Sequence, residues 1–529
     1  MEVSRASLTQ LRGWYYVAPT LVLVAVMLGP SLKLGFVSDD FLHLVEDSNL
    51  PLTASSDQLL RPLRNIIFRI AVRLFGLNPL PFHMAIVVFY ALVAVLLFEL
   101  IWELSRDLRV AGLTTALVAA FPRNHQVAFW FAAFQDLVVA VAALLTFILF
   151  LRHRKSGSAW YLTLAVLLFV ISLGFKETAI TVLPTLVLID LYQGQRLSAR
   201  WKAWKSYVPL ICAAIAYLAY AVFVHHKGFN SVYYTARTPT QLLGNYFKDL
   251  HGLLVPFGAV PSLHQTARHP AILLPFAGGA AAICILMRAL GKEREFLFCG
   301  AWIVVNLLPT AAFGVSREDR YLFIPFMGLA YLSSRLLIDL FDGASGIRGR
   351  TPARAILFTA VLAYLGCSIV FFVGYRRRWS EAAQEVRLIT EQVSRNARNL
   401  SSANTVFFLG VPHSIANGQV YVLNNGLRGV LLTRGFPRQG HLYENFSSSD
   451  MAQQSLMARI KACGHPGTSA SSRTLILIYD PVGSVLDLSN HCAEEAISQA
   501  GKPGPQLFLE RKQAPTRQTL GTSASTFCR

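Results

Sequence analysis

Between residues 14 and 375 the chain alternates long apolar stretches with short polar connections, a spacing foreign to soluble helices and strands. The stretches run to about 20 residues, enough to cross roughly 30 Å of hydrocarbon at about 1.5 Å per residue. Crossings are expected at about 14–34, 82–104, 110–125, 136–151, 159–175, 178–192, 207–225, 270–288, 296–314, 321–338 and 355–375, eleven in all. Residues 240–258, TQLLGNYFKDLHGLLVPFG, are assigned to a re-entrant or surface-lying helix, because a further crossing there would invert every later connection. The first outside loop, 36–81, contains a different pattern over 57–76. Leu59, Leu60, Leu63, Ile66, Ile67, Ile70 and Leu74 share one helical face, with Arg61, Arg64, Arg69 and Arg73 on the other. That is an amphipathic helix lying on the membrane surface, its arginines suited to lipid headgroups.

After residue 376 the pattern turns polar. A helix (WSEAAQEVRLITEQVSRNARNL), a strand (NTVFFLGV), an ambiguous stretch (QVYVLNNGLRGVLLT), a second helix (SDMAQQSLMARIKACG) and a second strand (RTLILIYD) suggest one small α/β domain. The expected architecture is therefore a polytopic α-helical membrane domain, 1–376, followed by a C-terminal α/β domain, 377–529.

Composition agrees: 54% of the 529 residues are hydrophobic and 15% charged, and the mean hydropathy is +0.45. A formal charge of +19 raises nucleic acid as a partner, but the basic residues are dispersed between apolar spans, so loop orientation accounts for them and no nucleic acid is expected. Alternate connections carry Arg106/Arg109, Arg152/Arg154/Lys155, Arg196/Arg200/Lys202/Lys205, Arg288/Lys292/Arg294 and Arg348/Arg350/Arg354. Short basic loops stay cytoplasmic, which puts the N-terminus inside and the C-terminal domain outside. The N-terminus has a basic start and an apolar stretch but no small-x-small cleavage site, and reads as an uncleaved signal anchor. The seven cysteines form no CxxC or His/Cys cluster of the kind that binds zinc. Cys463 and Cys492 are a candidate pair in an oxidising compartment.

With this orientation the remaining polar groups gather outside. They are Asp39 and Asp40 in FVSDDF; Arg123, His125 and Asp136 in FPRNHQVAFWFAAFQD; Lys176 and Glu177 in GFKET; His225, His226 and Lys227; and Arg317, Glu318, Asp319 and Arg320 in SREDRY. Each has a plainer reading. The aspartates serve equally as a helix cap, Lys176–Glu177 as an ion pair holding a hairpin, and His125 as a hydrogen-bonded interface residue. Basic groups outside run against the positive-inside tendency, and an anion at headgroup depth would explain them. A lipid phosphate is the natural one, since Arg and Lys make short charge-assisted bonds to phosphate oxygens. Carboxylates beside it suit general-base work on a hydroxyl, or a metal.

The strings FVSDDF, LLRPLRNIIFRIAVRLFGLNPLPFH, FPRNHQVAFWFAAFQDLVVAVAALL, GFKETAITVLPTLVLIDLY and REDRYLFIPFMGLAYL, in this order over residues 10–375, resemble the GT-C superfamily of polytopic glycosyltransferases, most closely its protein O-mannosyltransferase-like branch. The resemblance implies transfer of a sugar, a hexose such as mannose, from a polyprenyl- or dolichyl-phosphate carrier to an extracytoplasmic hydroxyl of a protein or glycan, with inversion. It gives Asp39 and Asp40 the general-base position. Lys176 and Arg320, with Arg61 and His125 behind them, hold the lipid phosphate. Asp136 orients acceptor or donor, and Glu177 positions Lys176. Some members of the branch use a divalent cation, Mg or Mn. The chain departs from the pattern at PRNHQ, where relatives often read Pro-x-His-x-Glu, and residues 377–529 lack the 34-residue period of tetratricopeptide repeats. A bacterial inner membrane is the expected location. Two other readings stay open: a transporter or flippase for an anionic lipid, and a ligase or polymerase of the O-antigen type. The first is disfavoured by the absence of repeated halves, and the second by the early position of the large loop.

Overall fold

The computed structural model describes residues 2–50, 61–194, 204–223, 238–257, 291–311, 318–343, 351–395, 397–403, 405–409, 411–412, 414–415, 420–423, 425–444, 474–480 and 484–487. They fall into two compact units. The first comprises residues 1–34 with 50–377, the second Gly35–Asn49 with Arg378–Arg529.

The first unit is helical. Its elements are α1 (Glu2–Leu28), α2 (Pro62–Phe75), α3 (Pro79–Ser105), α4 (Leu108–Ala119), α5 (Phe134–Ser156), α6 (Ala159–Phe175), α7 (Val182–Tyr192), α8 (Val208–Phe223), α9 (Pro239–Leu254), α10 (Glu293–Ala311), α11 (Phe323–Gly343) and the part of α12 (Thr351–Arg395) up to Arg377. Among the described residues six stretches are long and apolar enough to cross a bilayer: Gly13–Lys33, Pro79–Ser105, Phe131–Ser156, Trp204–Val222, Asp319–Gly343 and Arg354–Arg395. The chain is a polytopic helical membrane protein. Ten of the eleven expected crossings contain a described helix; the eleventh, 270–288, lies outside the described residues, as do His225, His226, Lys227 and Arg317.

Two expected elements differ in shape. The crossing at 110–125 is helical only to Ala119, because Pro122 lacks an N–H and disfavours helix at the residue before it. The chain continues as the short turns Pro122–Asn124, His125–Phe129 and Phe131–Ala133, every residue of which is buried. Irregular backbone at membrane depth is tolerated only when enclosed by protein in this way. The amphipathic helix α2 starts at Pro62, with residues 57–60 outside the description. Its arginine face does not meet headgroups throughout. Arg64 and Arg61 are buried, whereas Ile67, Ile70, Leu74 and Phe75 are exposed. Arg61, Arg64 and Asn65 turn toward the protein with Phe68, while Arg73 stays exposed among these apolar side chains. The 16-residue α9, opened by a Thr238–Gln241 capping box, repeats this arrangement. Asp249 is buried while Leu243 and Phe247 are exposed, and the helix is too short to span about 30 Å.

α5 is the central helix: 89% of its apolar window is buried, against 11% for the Arg354–Arg395 helix. α10 and α11 touch through Gly328, where an added Cβ would lie 2.6 Å from the Trp302 ring.

In the second unit, the end of α12 buries Trp379, Ala382, Val386, Ile389 and Val393, a three-and-four spacing that makes one face. Strand β1 (Thr405–Leu409) pairs in parallel with β4 (His441–Glu444) and β5 (Thr474–Asp480), and β6 (Ser484–Asp487) pairs antiparallel with β5. β2 (Ser414–Ile415) and β3 (Val420–Tyr421) form a small hairpin, and α13 spans Leu427–Leu432. The ambiguous stretch thus resolves into a strand and a helix. The helix expected at 449–464, and Cys463 and Cys492, lie outside the described residues. Gly35–Asn49, read from sequence as the start of a membrane-domain loop, packs within this unit instead. The Ser38 N–H donates to Val422 O at 2.8 Å. A Cβ at Gly426 would fall 2.0 Å from Ser38 O, and one at Gly429 2.6 Å from Phe41 O.

Gly328→Ala is expected to lower thermal stability in detergent by about 1–3 kcal/mol, as overpacking against Trp302 does. Gly300→Ala on the neighbouring helix meets nothing within 4 Å and is expected to be neutral or stabilising by up to about 1 kcal/mol. Equal melting shifts for the two would contradict the close contact.

Candidate functional site

One end of the first unit collects the starts of α5, α7 and α11 and the ends of α6 and α10. α6 stops at Phe175 because Lys176 is extended (φ −161°, ψ 138°), and the 3-10 turn Glu177–Thr181 then leads into α7. Lys176 and Glu177, adjacent in sequence, reach different partners. Lys176 Nζ donates to Asp136 Oδ1 at 2.5 Å and lies 4.8 Å from the Tyr321 ring centroid. Glu177 takes a two-pronged ion pair from Arg61, Nε to Oε2 at 3.0 Å and Nη2 to Oε1 at 2.8 Å, and Arg61 Nη1 also donates to Gln135. Glu177 therefore anchors Arg61 rather than Lys176. Burial works against the Glu177 charge, but Arg61 outweighs it and holds the carboxyl below its usual range. Burial also pushes Lys176 down to about 8, a change Asp136 opposes and Arg320 and Arg61 assist.

A second cluster joins the 122–130 turns to the start of α11. Arg123 Nη1 donates to Asp319 Oδ1 at 3.1 Å and its Nη2 to Val255 O at 2.9 Å. His125 meets Asp319 Oδ2 at 3.2 Å and stacks on Tyr375, centroids 3.9 Å apart. It is wholly buried. Gln126 donates from Nε2 to Glu318 Oε2 at 2.8 Å and accepts the Arg320 N–H on Oε1 at 3.0 Å. A glutamate there would face Glu318 with like charge; the amide satisfies both neighbours.

Between these clusters lies a small open cleft lined by Asp136, Thr178, Thr181, Asn306, Thr310, Arg320, Tyr321, Phe323, Ile324 and Pro325. The Arg320 guanidinium is held 4.6 Å from the Trp130 ring and 5.4 Å from that of Tyr321. Asp136 is 9% exposed, and its Oδ2 is buried without a hydrogen-bond partner. Thr181 donates to Asn306 Oδ1 at 2.8 Å, and Thr310 to Asp249 Oδ2 at 3.1 Å. Of the residues expected at a phosphate, Arg320 lines the cleft and Lys176 supports it through Asp136, while Arg61 and His125 are committed elsewhere and do not line it. Sequence reasoning passed over Asn306, Thr181, Thr310 and Trp130; a lone Asn in WIVVNLLPT was the visible signal.

In the second unit, Asp40 is 1% exposed and its Oδ2 reaches back to accept the N–H of Val37 at 2.9 Å, bracing the turn. Asp39 is half-buried. Its Oδ1 accepts from Asn425 Nδ2 at 2.9 Å and from Ser38 at 3.2 Å, leaving Oδ2 without a hydrogen bond among the described residues. Among those residues no three His, Cys, Asp or Glu side chains gather as a metal site.

No known family profile matches the chain, and no curated protein matches it in sequence. In structure it is similar to ArnT from Cupriavidus metallidurans. The crystal structure of that protein bound to undecaprenyl phosphate superposes with a TM-score of 0.52 over 89% of this chain and 94% of that one, at 12% identity. The apo form of the same protein gives a TM-score of 0.49 at 14% identity, with the same coverage. At that identity the likeness speaks for the fold alone: the chain shares the polytopic helical fold of ArnT.

Proposed function

We propose that the protein is an integral-membrane glycosyltransferase that moves a sugar from a polyprenyl-phosphate carrier to an acceptor hydroxyl. One observation carries the reading: a cleft at one end of the helical unit presents a cation, Arg320, together with an unpartnered carboxylate oxygen, Asp136 Oδ2. A sugar phosphate needs both, a cation for its phosphate and an acceptor for a sugar hydroxyl. The GT-C fold agrees with it, as does the undecaprenyl phosphate bound by ArnT. Thr178, Thr181 and Asn306 add polar edges, and Phe323, Ile324 and Pro325 give an apolar side suited to a lipid carrier.

In this mechanism Arg320 pairs with the donor phosphate, and Asp136 Oδ2 accepts a sugar hydroxyl while its Oδ1 stays on Lys176. The acceptor oxygen attacks the anomeric carbon from the face opposite the phosphate and gives its proton to a carboxylate base, a role for which the resemblance offers Asp39. The bond between anomeric carbon and phosphate oxygen breaks, and the lipid phosphate leaves with the electron pair. Arg320 stabilises the charge developing there, already ordered by Trp130 and Tyr321. Asp39 is preferred to Asp40 as base because its Oδ2 is unengaged, whereas Asp40 holds the turn. A hexose donor, an acceptor on a protein, lipopolysaccharide or wall polymer, a bacterial inner membrane and an extracytoplasmic C-terminal domain complete the reading.

In proteoliposomes supplied with labelled polyprenyl-phosphate sugar, Asp39→Asn is expected to lower kcat by about 10²–10⁴-fold. Donor KM should hold, as should the melting temperature. Wild-type turnover in that variant removes the base assignment.

Arg320→Gln and Arg61→Gln are expected to part ways. The first should lose turnover with the fold retained. The second leaves Glu177 buried without its cation and should destabilise by about 3–5 kcal/mol. Adding Glu177→Gln to Arg61→Gln should restore most of the melting temperature. Loss of stability in Arg320→Gln equal to that in Arg61→Gln would place Arg320 in the scaffold instead.

A further inference from the structure

The segment that carries Asp39 and Asp40 also carries a carboxyl group that neither the fold nor the proposed reaction uses. Glu46 ends the π-helical turn Leu42–Glu46, its side chain 13% exposed and its Oε1 buried without a hydrogen-bond partner. Its ion-pair partner stops short: Arg428 Nε on α13 lies 3.8 Å from Glu46 Oε2. That guanidinium cannot easily close the gap. Its Nη1 donates to Gly440 O at 3.0 Å and its Nη2 to Arg438 O at 2.6 Å, and its Cζ rests 5.8 Å from the Phe436 ring. On the segment itself, Asp47 adds a like charge and is tied to His43 Nδ1 at 2.9 Å. Burial, chiefly, raises Glu46 to about 7 from 4.5, with Asp47 acting in the same direction and Arg428 and the Gly429 N–H opposing.

The surroundings leave no slack. The backbone at Ser38 and Phe41 lies so close to Gly426 and Gly429 that a Cβ on either glycine would collide with it. An ionised Glu46 can regain hydration only by lifting the segment from α13.

We propose that Glu46 is a positioning residue whose neutral form seats the Gly35–Asn49 segment against α13, and whose ionised form loosens that seat and with it Asp39. The functional consequence rests on the reading of Asp39 as the base; the seat itself does not. The folded value exceeds the unfolded one, so the folded segment binds more protons between the two. The seat is fully stable below about pH 4.5 and loses stability as pH rises through about 7.

Hydrogen exchange on the full chain in lipid nanodiscs tests this, with amide protection over residues 36–47 corrected for intrinsic rate at pH 5.5 and pH 8. Wild-type protection is expected to fall on the order of tenfold between the two. Glu46→Gln, and Glu46→Met as a second neutral variant, should keep the low-pH protection at both. Wild-type protection that does not change with pH, or neutral variants that lose it in parallel with wild type, would overturn the proposal. Sugar transfer by Asp39→Asn separates the two readings. If the exchange result holds and that variant transfers at the wild-type rate, the base assignment fails and the seat stands. If the variant is inactive and the exchange result fails, the reverse is true.

Discussion

A charge brought to the edge of a bilayer must bring its counter-charge with it. Moving one ion from water into a medium like dry protein costs about 20 kcal/mol in the idealised limit, and still several after relaxation. Around the cleft, described residues of the first unit meet that constraint with the buried pairs Lys176–Asp136, Arg61–Glu177 and Arg123–Asp319. Each joins separate elements, so the ends of α2, α5, α6 and α11 and the 122–130 turns are fixed to one another by charge. Four cations and four carboxylates balance one for one, counting Arg320 and Glu318. Such a cluster can sit beside hydrocarbon with its charges balanced, and Arg320 is its cation that lines the cleft.

The same constraint orders the two short amphipathic helices. A soluble helix of this kind hides its apolar face; α2 and α9 bury Arg64, Asn65 and Asp249 and expose isoleucines, leucines and phenylalanines. In lipid the polar face is the one that needs shelter, because hydrocarbon offers it no hydrogen bonds. It also explains why the backbone between α4 and α5 can abandon helix for a run of short turns. Every residue there is enclosed, and Trp130 and Gln126 spend their contacts inside the protein to hold Arg320.

The sequence made the crossings legible because a long apolar run in one chain has few alternatives. It could not rank them. α5 and α12 are comparably apolar, yet one is enclosed by protein and the other largely exposed, since an apolar side chain is equally satisfied by either. Periodicity gave α2 its two faces but not their environments. Lys176 and Glu177 looked like one another's partners, but their true partners lie 40 and 116 positions away, a pairing that only the packed helices create. The helix-cap reading of Asp39–Asp40 was one of two on offer; Ser38 holds the N-cap position, Asp40 reaches back to Val37 instead, and Asn425, 386 positions from Asp39, is invisible to any local window. The gathering of Asp136, Lys176 and Arg320 was visible because all three sit at apolar boundaries on one side of the predicted crossings.

The side-chain amide of Gln126 has a directional consequence. Its nitrogen end faces a carboxylate and its oxygen end a backbone N–H, so rotating it, or sliding either loop by a residue, would set donor against donor and acceptor against acceptor. The two loops can dock in a single register, keyed by one neutral group whose hold is insensitive to ionic strength. The 122–130 turns and the head of α11 must then travel as one body. Any widening of the cleft has to come from the opposite wall, where Thr181, Thr310 and Asn306 are held by side-chain hydrogen bonds.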